Sequence, residues 1–179
     1  MSNTSNTDVH MYFLGLALDE ARKCKPTPTA FCVGCVLTAS LTDSSEPVIL
    51  ARGYSRELPG NTHAEANALT KARRLSKEEL RELLPSTPED VTIEHVLNRA
   101  DVYTTMEPCS VRTSGLAPCA DALIAAGIRR CFIGVGEPDD FVQCEGTRKL
   151  EDAGIEVVWT RGLEQECLAV ARTGHRSNT

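Results

Sequence analysis

His63 and Glu65, followed far along the chain by Pro108-Cys109 and Pro118-Cys119, constrain this sequence more than any other feature in it. An imidazole and two thiolates are three good ligands for zinc, and they leave a fourth tetrahedral position open to water. A carboxylate two residues after the histidine can stand beside that water as a proton carrier. Local signals put all three ligands at element ends. Gly60-Asn61 is a turn and Thr62 opens a helix running to about Arg74, so His63 and Glu65 share its first turn. Pro108-Cys109 lies just past a strand ending near Thr105, at the carboxyl edge of the sheet, where ligands of open α/β sheets collect. Pro118 suits the first position of a helix continued by Ala120 to Ala126, which places Cys119 in that helix's first turn. There the helix dipole and a nearby divalent cation both favour thiolate over thiol.

Each of these residues has a plainer reading. Thr62-His-Ala-Glu65 also fits a T-x-x-E capping box, with His63 an ordinary first-turn residue. Two isolated cysteines in a reducing compartment are usually core residues. The combination of H-A-E with two proline-preceded cysteines at adjoining element ends favours ligation. Cys32 and Cys35 form a C-x-x-C, but residues three apart on a strand face opposite sides of a sheet, so they read as core. Cys24, Cys131, Cys144 and Cys167 are scattered singly and read the same way. His10, His95 and His175 have no ligand-spaced neighbours and read as surface residues.

Around these motifs the chain alternates helix and strand. Apolar residues at helical period run from about Val9 to Cys24, stopped by Pro26 and Pro28. Ala30 to Leu37 reads as a buried strand, and Val48 to Tyr54 as its antiparallel partner across a turn through residues 42–45. Ser76-Lys-Glu-Glu79 has the form of a capping box for a short helix ended by Pro85 and Pro88. The region from about residue 75 to 99 is thus a helical insertion. Strands are expected at Ala100 to Thr105, Arg130 to Val135 and Ile155 to Trp159, with helices at Pro118 to Gly127, Gln143 to Ala153 and Glu164 to Arg172. This order predicts an α/β fold: a five-stranded mixed sheet covered by helices on both faces.

At 179 residues, 41% of them apolar, the chain has material for one compact domain, expected over residues 9–173 between polar tails at 1–8 and 174–179. The start lacks the basic and apolar regions of a signal peptide. Eight cysteines without such a segment point to the reducing cytoplasm. The longest apolar runs are too short for a membrane span. A net charge of −6 and only 4% aromatic residues leave neither a broad basic surface nor stacking platforms for nucleic acid.

H-x-E followed by P-C and a second cysteine is the pattern of zinc-dependent nucleobase deaminases, although residues 110–118 stretch the usual C-x-x-C. The run Tyr103-Thr-Thr-Met-Glu-Pro-Cys-Ser-Val-Arg-Thr-Ser-Gly-Leu-Ala-Pro-Cys119 resembles the riboflavin-biosynthesis pyrimidine deaminases, and its E-P-C-S-x-R-x-S-G form resembles their fungal branch. Gly53-Tyr-Ser-Arg-Glu-Leu-Pro-Gly-Asn-Thr-His-Ala-Glu65 and Phe31-Cys-Val-Gly34 are similar to that branch as well, and the likeness extends from about Val9 to Trp159. The resemblance implies a three-layer cytidine-deaminase-like fold, one Zn2+ per chain on His63, Cys109 and Cys119, and Glu65 as the proton carrier. It implies a phosphorylated pyrimidine substrate, the diamino-ribitylamino-pyrimidinone 5′-phosphate, whose ring the Asn61 side chain and the Ala64 amide would hold. It also implies a homodimer.

Ser110, Arg112 and Thr113 lie in the long inter-cysteine loop and suit a ribityl phosphate, against the plain reading of Arg112 as a solvated loop cation. Two other functions remain open at this stage. One is a tRNA adenosine or cytidine deaminase, which the acidic charge and the long loop disfavour. The other is a non-catalytic zinc-binding subunit, which would have no need of Glu65.

Overall fold

The computed structural model describes residues 6–40, 45–112, 115–138 and 145–174. Five strands form one sheet: β1 (Gly34–Ala39), β2 (Val48–Tyr54), β3 (Ala100–Met106), β4 (Arg130–Val135) and β5 (Glu156–Trp159). Their order is β2-β1-β3-β4-β5. β1 pairs antiparallel with both β2 and β3, whereas β3, β4 and β5 run parallel. The expected mixed five-stranded sheet is therefore present.

Strand alternation sorts the core into two layers. Cys35, Leu37, Val102, Cys131 and Ile133 point to one face, where they pack with Ala64, Ala68 and Leu69 of α2 (Ala64–Ala72) and Ala120 and Leu123 of α5 (Cys119–Ala125). Val36, Tyr103 and Phe132 point to the other, against Phe13, Leu14 and Ala17 of α1 (Asn6–Ala21). α7 (Glu164–Ala171) lies on that second face beside α1, and α6 (Gly146–Asp152) packs against α5 and β5. Covered on both sides, β3 is buried along its whole length.

Glycine makes the close approaches that aim the site. At Gly53 a Cβ would run into the Ala64 carbonyl oxygen and the Ala68 amide, so only glycine lets β2 lie this close to the start of α2. The insertion holds two short helices, α3 (Lys77–Leu83) and α4 (Ile93–Leu97). The expected capping box closes α3: the Ser76 side chain accepts from Glu79 N, and the Glu79 side chain accepts from Ser76 N.

Three expectations are corrected. β1 begins at Gly34, not at Ala30; Ala30, Phe31 and Val33 line a cavity. The Val33 amide instead bonds Ser55 Oγ at 3.1 Å. Thr62 does not cap α2: its hydroxyl donates to the Leu58 carbonyl, and the N-cap is His63, with no side-chain capping bond. His10 is not a surface residue but is half-buried, stacked on Phe132 at 4.1 Å with Nδ1 2.9 Å from Tyr103 Oη. Cys144, His175 and the expected turn residues 42–44 lie outside the described residues.

Candidate metal centre

Three element ends meet at the site. His63 stands at the N-terminus of α2, Cys119 is the first residue of α5, and Cys109 follows β3 through Glu107-Pro108. The ligand atoms of these three residues all lie within 4.8 Å of one another. Both sulfurs are 3.5 Å from His63 Nδ1. Among the described residues this is the one group of three or more metal-ligating side chains brought together. Two sulfurs and an imidazole nitrogen form a donor set that suits zinc, with one tetrahedral position left over.

The electrostatics of the thiols agree with ligation. The Cys119 side chain and amide both donate to Cys109 Sγ, the amide at 3.3 Å, and with His63 they hold Cys109 well below the ordinary thiol range. Cys119, fully buried and giving up that hydrogen bond, is pushed up in turn. A divalent cation held between the two sulfurs would favour both thiolates.

Glu65 sits in the first turn of α2, only 3% exposed. Burial pushes its carboxyl pKa up, the Cys109 sulfur adds to the effect, and His63 opposes it. A carboxyl raised this way holds a proton more readily than an exposed one, which suits a group that must both accept and return it.

A cavity of about 400 Å³ opens onto these groups. Asn61, His63, Glu65, Cys109 and Arg112 line it, and Phe31 and Met106 supply apolar wall. Cys119 is fully buried and does not line the cavity. Arg112 Nη2 donates to the Asn61 carbonyl at 2.6 Å and Nη1 to the Ala117 carbonyl at 3.4 Å, which ties the inter-cysteine loop to the turn before α2. Ala64 is buried at the start of α2, and Ser110 Oγ accepts from Glu145 N at 3.1 Å. Thr113 lies outside the described residues.

Sequence reasoning missed Ser55, Arg56 and Glu107 in the cavity wall, and Thr104 behind it. Arg56 carried a signal only a structure reveals: it is the one described non-glycine residue with positive φ, at 63°, and its guanidinium donates to the Phe31 and Lys25 carbonyls. Glu107 Oε1 accepts from the amide and hydroxyl of Thr147, joining the cavity to α6. Cys32 and Cys35 are both buried and take no part in the ligand cluster. Cys24, Cys131 and Cys167 are likewise buried, and every described cysteine is free.

Residues 7–135 match the family described as cytidine and deoxycytidylate deaminase zinc-binding region. A diaminohydroxyphosphoribosylamino-pyrimidine deaminase of Schizosaccharomyces pombe is 39% identical over 93% of this chain. The chain spans only 36% of that relative's length, and 29% of a RibD protein of Actinobacillus pleuropneumoniae that is 34% identical over 77% of this chain. Among solved structures, the Aspergillus oryzae Rib2 deaminase, as a C-terminal deletion mutant, superposes with a TM-score of 0.76 at 36% identity, covering 94% of this chain and 93% of that one. The same Aspergillus protein has been solved in complex with DARIPP, with a TM-score of 0.74 to this chain.

Proposed function

The chain belongs to the cytidine and deoxycytidylate deaminase family, and from that premise we propose that it deaminates 2,5-diamino-6-ribitylamino-4(3H)-pyrimidinone 5′-phosphate, releasing ammonia, as a step of riboflavin biosynthesis. The observation that carries this is the meeting of a His-Cys-Cys cluster with a buried glutamate at one cavity. The likeness to riboflavin-pathway deaminases supports this choice of substrate.

Zinc held by His63, Cys109 and Cys119 supplies Lewis acidity that makes a water acidic enough to be a nucleophile near neutral pH. Glu65 takes a proton from that attacking water as its oxygen bonds to the amine-bearing ring carbon. Glu65 then protonates the neighbouring ring nitrogen. In the last step Glu65 delivers the second water proton to the exocyclic amine, the carbon–nitrogen bond breaks, and ammonia leaves. One carboxyl serves all three transfers because they occur in sequence.

Asn61 and the Ala64 amide hold the pyrimidine ring in this account. Arg112, whose two described bonds leave guanidinium N–H groups to spare, receives the phosphate, and Ser110 and Thr113 meet the ribityl chain. The buried Glu65 argues against a non-catalytic subunit, and the net charge of −6 argues against a tRNA substrate. Among the described residues no helix is long and apolar enough to cross a membrane. Free cysteines fit a reducing cytoplasm, and a homodimer completes the proposal.

The test is ammonia release by zinc-loaded protein across a panel of pyrimidines. Turnover of the ribitylamino pyrimidinone phosphate, with little on cytidine, cytosine or tRNA, supports the assignment. Efficient turnover of cytidine or tRNA in its place overturns it and leaves the zinc site standing.

A further inference from the structure

The Thr104 hydroxyl takes no part in the chemistry set out above, yet it touches the group on which that chemistry depends most. β3 alternates, so Thr104 shares the face of Val102 that looks toward α2, while its neighbour Tyr103 looks toward α1. Its Oγ1 lies 3.1 Å from Glu65 Oε1 and 3.0 Å from the Met106 carbonyl oxygen. Thr104 is 0% exposed, so this contact is made within the protein interior. The next residue does a different job: Thr105 Oγ1 accepts from the Gly34 amide at 3.1 Å on the opposite face.

Valine would fill the Thr104 position with nearly the same shape, so packing alone does not call for the hydroxyl. A glutamate side chain has three rotatable bonds, and a proton carrier loses rate when its aim drifts by about 1 Å. A hydroxyl has one proton to give and lone pairs to accept with. From one fixed place it can therefore donate to a carboxylate, or accept from a carboxylic acid while its own proton turns to the Met106 carbonyl.

We propose that Thr104 is a positioning residue: its hydroxyl fixes Glu65 Oε1, so that the Glu65 carboxyl meets the cavity in a single orientation throughout the proton transfers. This rests on Glu65 being the proton carrier of the proposed deamination.

The test compares zinc-loaded Thr104→Val and Thr104→Ser with wild type by ammonia-release kinetics, zinc content and crystal structure. Thr104→Val should lower kcat by about 10- to 100-fold, leave KM within about twofold, keep the zinc and show Glu65 in more than one rotamer. Thr104→Ser should restore kcat to within about threefold of wild type and return Glu65 to one rotamer. Wild-type kcat in Thr104→Val, an equal loss in both variants, or a single unchanged Glu65 rotamer in Thr104→Val would overturn the proposal. Glu65→Gln assayed alongside separates the two ideas. If Glu65→Gln stays active, the proton-carrier reading fails. If Glu65→Gln is inactive and Thr104→Val is normal, only the role of Thr104 fails. If wild type does not turn over this substrate, the crystallographic comparison still decides whether Thr104 holds Glu65.

Discussion

Arg112 donates from Nη2 to the Asn61 carbonyl at 2.6 Å, so the loop between the zinc-site cysteines is braced against the turn that precedes His63. Arg112 also lines the cavity. A charge-assisted hydrogen bond to an anion is worth about 1.5–3 kcal/mol. Arg112→Ala should therefore weaken the phosphorylated substrate by about 10- to 150-fold in KM and affect a dephosphorylated analogue much less. An equal loss on both would confine Arg112 to bracing the loop.

Cys119→Ser should lose most of the zinc, because Cys119 is one of three donors clustered within 4.8 Å. Cys32→Ser should keep it, since Cys32 is buried outside that cluster. Elemental analysis of chelator-free protein reads both. Equal zinc in the two variants would contradict the ligand assignment.

Gly53→Ala should destabilise the fold by about 1–3 kcal/mol, the usual cost of forcing atoms into a packed contact. The new Cβ would meet the Ala64 carbonyl oxygen and the Ala68 amide, pushing α2 and its two site residues away from the sheet. Denaturant unfolding would show a lower midpoint and zinc analysis a weaker site. An unchanged midpoint would mean that α2 yields without cost.

Stability should fall with acid partly through His10. Burial lowers its pKa, the nearby Arg130 guanidinium lowers it further, and Asp101 and Glu156 act in the opposite sense. The unfolded chain then takes up a proton below about pH 6.5 that the folded chain resists. This contribution is present above that pH and is lost as pH falls from there toward the lowered folded value. His10→Gln, which can still bond Tyr103 Oη, should show a shallower loss of stability between about pH 7 and 5. Identical slopes in the two proteins would remove His10 from the acid response.

Much of this was legible in the sequence where local chemistry and tertiary role agree. The strands expected at Ala100 to Thr105 and Arg130 to Val135, the Ser76–Glu79 box and the proline-preceded cysteines each announced their place. Misreadings arose where tertiary contacts overrode local pattern. Phe31 and Val33 are as apolar as a strand requires, yet they form cavity wall, the Phe31 carbonyl accepting from Arg56 and the Val33 amide donating to Ser55 Oγ. Thr62 fits a capping box, but its hydroxyl is taken by Leu58 and Asn67. His10 stands alone in the sequence and finds its partners, Tyr103 and Phe132, across the sheet. Thr104 was invisible because threonine in a strand is ordinary, and only its distance from Glu65 distinguishes it.

The most direct measurement is the ammonia-release rate of Glu65→Gln, made with its zinc content on the same preparation. Gln keeps the shape of the buried side chain but cannot carry the proton. General acid–base groups contribute about 10² to 10⁴ in rate, and a group serving three transfers belongs at the upper end. The account predicts zinc at the wild-type level with kcat reduced by about 10⁴-fold. Full zinc with more than about a tenth of wild-type activity would contradict it and leave Glu65 a buried carboxyl with no part in the reaction.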